Sequence, residues 1–261
     1  MWLDVGIEKP VTGRCYNGNK EKSSMKTSGV KNPAVITDGC NPELVKGADF
    51  DGIFEIPIIK APEIIAIPKA IVPFSKMDKV NPSGFAVCEY ENDIEFADLL
   101  RNPDAYVKQF RKCQAVISPD ASLYWDAPFA AQVVNKYRNH AIGYYLQKKG
   151  VYVIPNVRWG DERTYTTCMF SEPLAFAGVE KNSIVSIGSY GVIKTALEKQ
   201  HFKAGLKAML DYLEPRVVLV YGSMPKTIFE EFEKKTTFYR YPDWTTFAKN
   251  NKDALKKDIE D

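Results

Sequence analysis

Two aspartates, a glutamate and an arginine–tryptophan pair are the residues of this 261-residue chain best suited to chemistry. Asp120 follows Ser118 and Pro119, just past the apolar run AVI. Asp161 and Glu162 come shortly after the run VYVIP, behind Arg158, Trp159 and Gly160. Two carboxyl groups facing one ligand can serve as general acid and base, or one can be a nucleophile. Arg158 can hold phosphate through its forked donors, and Trp159, Tyr124 or Trp125 can stack on a base. Each residue also has a plain structural use. Asp120 after a proline suits an Asx-turn. Asp161 can cap a short helix beginning at Glu162, and Asp126 can cap the helix behind it. An ion pair between Arg158 and an aspartate would account for both without a ligand.

Two small glycine loops extend this set. Gly188-Ser189-Tyr190-Gly191 with Lys194 offers backbone amides and a cation that can hold phosphate. Its spacing matches neither the P-loop nor Gly-x-Gly-x-x-Gly, and the same glycines suit a tight turn. Tyr221-Gly222-Ser223 can cradle a ligand or simply turn the chain. The candidate catalytic residues are therefore Asp120, Asp161 and Glu162. The candidate ligand contacts are Tyr124, Arg158, Trp159, Ser189, Gly191, Lys194, Tyr221 and Ser223.

Histidine and thiol chemistry is disfavoured. The two histidines, His140 and His201, sit in separate expected helices, so neither has a partner at ligand spacing. His140 lies mid-helix and His201 opens a helix; both suit structural or exposed positions. The five cysteines (Cys15, Cys40, Cys88, Cys113 and Cys168) are odd in number and contain no Cys-x-x-Cys. They fit free thiols, mostly in the core of a reduced protein, and no metal ligands are assigned.

The elements that must position these residues alternate. IIAIPKAIVPF, GFAVCEY, QAVISPD, GVYVIPN, NSIVSIG, PRVVLVYG and TFYRYPD are short runs rich in Val, Ile, Tyr and Phe. Several are continuously apolar, as strands buried on both faces are. A further strand-like segment lies around Ile56 to Ile59. The clearest helix runs from about Pro128 to Lys149. Ala130, Val133, Val134, Tyr137, Ala141, Tyr144 and Tyr145 mark its apolar face. Gln132, Asn135, Arg138 and Asn139 form a polar stripe, which can bind base edges or phosphate or be the solvated face. A second helix carries Phe202, Leu206, Met209, Leu210 and Leu213, and Pro215 stops it. Others start at Asn102–Asp104 or span Lys226 to Lys235 and Trp244 to Lys257.

Strand–helix alternation predicts one α/β domain with a mostly parallel sheet. An incomplete or irregular (β/α) TIM-like barrel fits the count of about seven strands, with a doubly wound open sheet as the alternative. Residues 1–50 make a loop-rich arm, 51–248 the domain and 249–261 a charged tail. Ligands of such folds bind at the carboxyl ends of strands, where these polar residues gather.

Composition limits the role. The chain is 45% hydrophobic, with 35 basic and 33 acidic residues and a net charge of +2, so it can form a core and does not coat nucleic acid by bulk charge. No stretch approaches ~18 uninterrupted apolar residues, which excludes a membrane helix. The start MWLDVGIEKP has no signal-peptide pattern, so a cytoplasmic setting is expected.

Residues 117–164, ending in NVRWGDERT, resemble the central block of the domain-of-unknown-function family numbered 4417. IVPFSK, IGSYGVIK and VYGSMP resemble its flanking blocks, and the likeness covers roughly residues 55 to 245. The resemblance implies a protein of bacteria, phages or other mobile elements, working in the bacterial host cell, and carries no activity. Two functions remain. The first is an enzyme acting on a nucleotide, nucleoside or nucleic acid, by hydrolysis or glycosyl transfer, with Mg²⁺ if the bond is a phosphoester. The second is a non-catalytic nucleic-acid- or protein-binding factor using the basic arm and the amide stripe. A phage structural component is a weaker third reading.

Overall fold

All seven apolar runs become strands. The computed structural model describes residues 41–251. Two-residue strands β1 (Phe50–Asp51) and β2 (Ile56–Pro57) form an antiparallel ribbon. The remaining strands are β3 (Ala70–Pro73), β4 (Phe85–Cys88), β5 (Ala115–Ile117), β6 (Val153–Ile154), β7 (Ile184–Gly188), β8 (Val217–Tyr221) and β9 (Thr237–Tyr241). They make two parallel sheets, β3-β4-β5-β6 and β7-β8-β9, each with its strands in chain order. A single parallel bridge, Asn156 to Ser186, lies between them. Most of these strands are continuously buried, because both faces are covered.

Side-chain alternation divides the core. Val87, Val116 and Val153 pack under Phe96, Leu99, Phe110, Ile142 and Leu146. Val185, Ile187, Val218 and Val220 pack under Phe202, Leu206, Met209 and Phe229. The opposite faces share one cluster that draws on every strand from β3 to β9: Ile71, Cys88, Ile117, Ile154, Ile184, Leu219 and Tyr241 among others. The architecture is mixed α/β with parallel sheets. A closed barrel is not formed by strand pairing: among the described residues β3 and β9 share no ladder, and an open sheet is compatible.

The helices are α1 (Ala97–Arg101), α2 (Val107–Phe110), α3 (Phe129–Lys148), α4 (Glu162–Tyr165), α5 (Ala196–Leu213), α6 (Lys226–Phe229) and α7 (Trp244–Asn250). The expected helix over 226–235 is short, because 3₁₀ turns take over at Glu230–Phe232. His201 lies inside α5 instead of opening it. That helix starts at Ala196, where Thr195 and Glu198 form a reciprocal capping box. Asp126 does not cap α3: Pro128 holds the cap position and no side chain bonds there.

The expected apolar face of α3 is the larger correction. Ala130 and Val134 are exposed, and of that set only Ala141 is buried. The buried face instead carries Gln132, Lys136, Asn139 and His140, next to Ile142, Gly143 and Leu146. The reason is the irregular backbone that α3 covers, whose buried carbonyls and amides need partners. Asn139 donates to Ala121 O (3.0 Å) and accepts from Ala121 N (2.9 Å). Asn135 donates to Ser122 O, Gln132 to Ala127 O and Lys136 to Ala175 O. His140 Nδ1 lies 3.0 Å from Pro57 O.

Residues 41–50 of the expected arm are described, as turns over 42–47 and the start of β1. The rest of the arm, with Cys15 and Cys40, and the tail beyond residue 251 lie outside the described residues. Cys88 is a buried free thiol, Cys113 is half-buried and Cys168 is exposed, so only one of the three described is a core thiol. Among the described residues no helix is long and apolar enough to cross a membrane.

Candidate functional site

A cavity of about 640 Å³ opens at the carboxyl ends of the parallel strands. Each strand hands the chain to a loop there, and α3 fixes the most important one. Its amide stripe pins residues 121–127, so Asp120 and Tyr124 enter the cavity from a tethered segment. That role differs from both readings open for the stripe, ligand binding and a solvated face: its amides are spent on backbone.

Asp120 is the buried centre of this wall, 3% exposed. Its carboxylate accepts from Arg158 Nε (2.5 Å), from Arg158 Nη2 and from Asn156 Nδ2 (2.6 Å). The Tyr90 hydroxyl lies 3.0 Å from Asn156 Oδ1 and 2.8 Å from Ser186 Oγ, which ties the network to β7. Burial pushes the Asp120 carboxyl up from its usual range, against the opposing pull of Arg158 and Asn156. The forked pairing keeps two charges in a site where either alone would be costly.

Glu89 sits immediately past β4, fully buried. Among the described residues neither of its carboxyl oxygens has a hydrogen-bond partner. Burial, then the neighbouring charges of Glu91 and Asp120, holds its carboxyl well above the usual carboxylate range. Burial of this kind favours the protonated, neutral form of the carboxyl.

The cavity's other charges differ in employment. Glu91 accepts from Ser75 N (2.9 Å) and Ser75 Oγ (2.6 Å). Asp243 caps α7 through Thr246 N and Oγ1. Lys76 and Lys194 also line the cavity, and among the described residues neither forms an ion pair. Three of the four cavity carboxylates are thus held by protein donors and Glu95 is exposed; neither lysine is tied in an ion pair among the described residues, though Lys194 lies within the field of Glu198. Tyr90 stacks on Tyr221 at 5.4 Å, and the half-exposed Tyr190 meets Tyr221 edge-on. Gly222, with φ +116°, lets the β8 loop approach: a Cβ there would lie 2.7 Å from Tyr190 N.

Of the expected residues, the cavity brings together Asp120, Tyr124, Arg158, Gly191, Lys194 and Tyr221. Asp161 and Glu162 are not on its wall. Asp161 caps α4 through Arg163 N (2.9 Å) and pairs with the Arg163 guanidinium, and Glu162 is exposed. Ser189 is buried, its hydroxyl 2.6 Å from Ser223 O, so this pair closes the loop rather than lining the cavity. Trp159 belongs to an adjoining hollow. Ser75, Lys76, Tyr90, Glu91 and Asn156 were missed as site residues. The strand-end rule applied to PFSK after β3 and EYEN after β4 identifies the first four. Asn156, directly after β6, obeys the same rule.

Among the described residues no three His, Cys, Asp or Glu side chains converge closely enough to hold a metal ion. A Mg²⁺ ion here would depend on phosphate oxygens more than on a protein cage.

Residues 48–242 match the model of a domain of unknown function (DUF4417). The chain is similar to the gene 1 protein of Mycobacterium phage D29, 32% identical over 142 residues, covering 54% of this chain and 50% of that protein. It is also similar to the gene 1 protein of Mycobacterium phage L5, 29% identical over 147 residues, covering 56% of this chain and 61% of that protein. The chain thus spans about half the length of the curated relatives it matches. No solved structure matches.

Proposed function

The chain belongs to the DUF4417 family, and we propose that its strand-end cavity binds a nucleotide, or the end of a nucleic acid, for carboxylate-based hydrolysis or glycosyl transfer. The observation that carries this reading is the contrast in charge employment: Glu91, Asp120 and Asp243 are held by protein donors, while Lys76 and Lys194, which line the same cavity, form no ion pair among the described residues. Phosphate would meet these lysines and the remaining edge of Arg158. Asp120 is the carboxylate placed to serve the reaction, with Arg158, Asn156 and Tyr90 as its positioning residues.

The fold supports a ligand at this end. Seven parallel strands in chain order, with one interior cluster drawing on all of them, suit an incomplete (β/α) barrel whose mouth is the cavity. The mycobacteriophage relatives support a phage or mobile-element setting inside a host cell. The amide-stripe version of a non-catalytic binder lacks support, because those side chains hold backbone.

The test is product analysis by mass spectrometry after incubation with nucleosides, nucleotides and short oligonucleotides. Asp120→Asn is expected to cut turnover at least about 100-fold while phosphate binding persists. Full turnover by the variant overturns the assignment of Asp120.

A further inference from the structure

Beside the polar cavity lies a second, smaller hollow of about 350 Å³. It runs between the loop at Leu123–Trp125, the β6 loop and the first half of α5. Trp125, Trp159, Val192, Leu197, His201 and Phe202 line it. Tyr124, Arg158 and Val192 border both spaces, so the hollow continues the cavity rather than standing apart from it.

We infer that this hollow holds the flat, neutral aromatic ring of the same ligand, a nucleobase, while its phosphate lies in the strand-end cavity. This rests on the reading given under Proposed function, and it names which part of the ligand goes where. Trp159 is a fixed wall. Its indole lies so close to α5 that a Cβ on Gly205 would sit 2.2 Å from Nε1, and it packs on Phe202 at 5.2 Å. Trp125 and Leu197, 58% and 57% exposed, form an apolar rim. Such a rim around a concave apolar space suits a ligand.

Charge favours a neutral ring. The Glu198 carboxylate turns away to the amides of Lys194 (2.9 Å) and Thr195 (2.6 Å). Arg158 is engaged with Asp120. His201, on the wall, supplies a ring nitrogen for the polar edge of a base.

Binding is measured by calorimetry on the full chain with a nucleoside 5′-monophosphate and with ribose 5-phosphate, which lacks the ring. Trp125→Ala and Leu197→Asp change exposed side chains and so spare the core. Each is expected to weaken the nucleotide about tenfold or more and to leave ribose 5-phosphate unchanged. Unchanged nucleotide affinity in both variants, or equal losses for both ligands, overturns the ring subsite while leaving the phosphate site standing. Binding of neither ligand by the wild-type chain overturns the parent reading and this one together.

Discussion

Asp120 and Arg158 each make the other's burial tolerable, and this coupling sets what substitutions do. Removing only the guanidinium, as in Arg158→Met, leaves a buried carboxylate with Asn156 alone. The expected loss is about 3–5 kcal/mol, measured by denaturant unfolding. The double variant with Asp120→Asn is expected to recover part of it, since no lone charge then remains. Glu89 makes a separate prediction. Its folded carboxyl keeps its proton to higher pH than the unfolded one. Stability is therefore full below the unfolded glutamate range and falls as pH rises above it. Glu89→Gln removes that fall, so the variant is expected to gain stability over the wild type at pH 8 and to differ little at pH 4. A pH-independent difference in thermal unfolding would contradict this. The two features differ in how far the sequence disclosed them. The ion pair was one of two readings open for Arg158. Glu89 gave no signal, because a strand-end glutamate looks alike whether its carboxyl reaches water or is buried.

Helix α3 acts as a clamp on irregular backbone, and its energetics lie in hydrogen bonds as much as in apolar contact. Asn139→Ala leaves both Ala121 N and Ala121 O without their partner. The expected cost is about 1–3 kcal/mol, with hydrogen exchange rising in residues 120–127 before the rest of the domain. Lys136, on the same buried face, is pulled down by burial to about 7. Between about pH 7 and the ordinary lysine range the unfolded chain binds more protons, so stability rises with pH there, and Lys136→Met should abolish that rise. This face was misread from the sequence because periodicity counts apolar residues. The clamp is built from donors, and its tyrosines and valines lie on half-buried or exposed flanks. The start of α5 was legible in principle: Thr195-x-x-Glu198 is the capping-box pattern.

At the scale of the whole molecule, parallel α/β architecture was legible because both faces of the strands are covered, which leaves continuous apolar runs such as AVI and VVLVY. How the sheet ends is not written in such runs: pairing between β3 and β9 would be a contact between distant segments, and local patterns carry no record of it. The strand-end rule found the side of the cavity built after β5 to β8. It missed the side after β3 and β4, where the chain enters short 3₁₀ turns at Phe74–Lys79 and Asp93–Phe96. The near-zero net charge conceals a local contrast: among the described residues Lys76 and Lys194 form no ion pair, while three of the four carboxylates lining the same cavity are engaged. The most direct test is calorimetric titration of the wild-type chain and a Lys76→Ala/Lys194→Ala variant with a nucleoside 5′-monophosphate at two salt concentrations. Saturable, salt-weakened binding by the wild type, reduced at least about tenfold in the variant, is the predicted result. Equal affinity in the two proteins, or no binding by the wild type, would contradict the assignment of an anion-binding cavity at the strand ends.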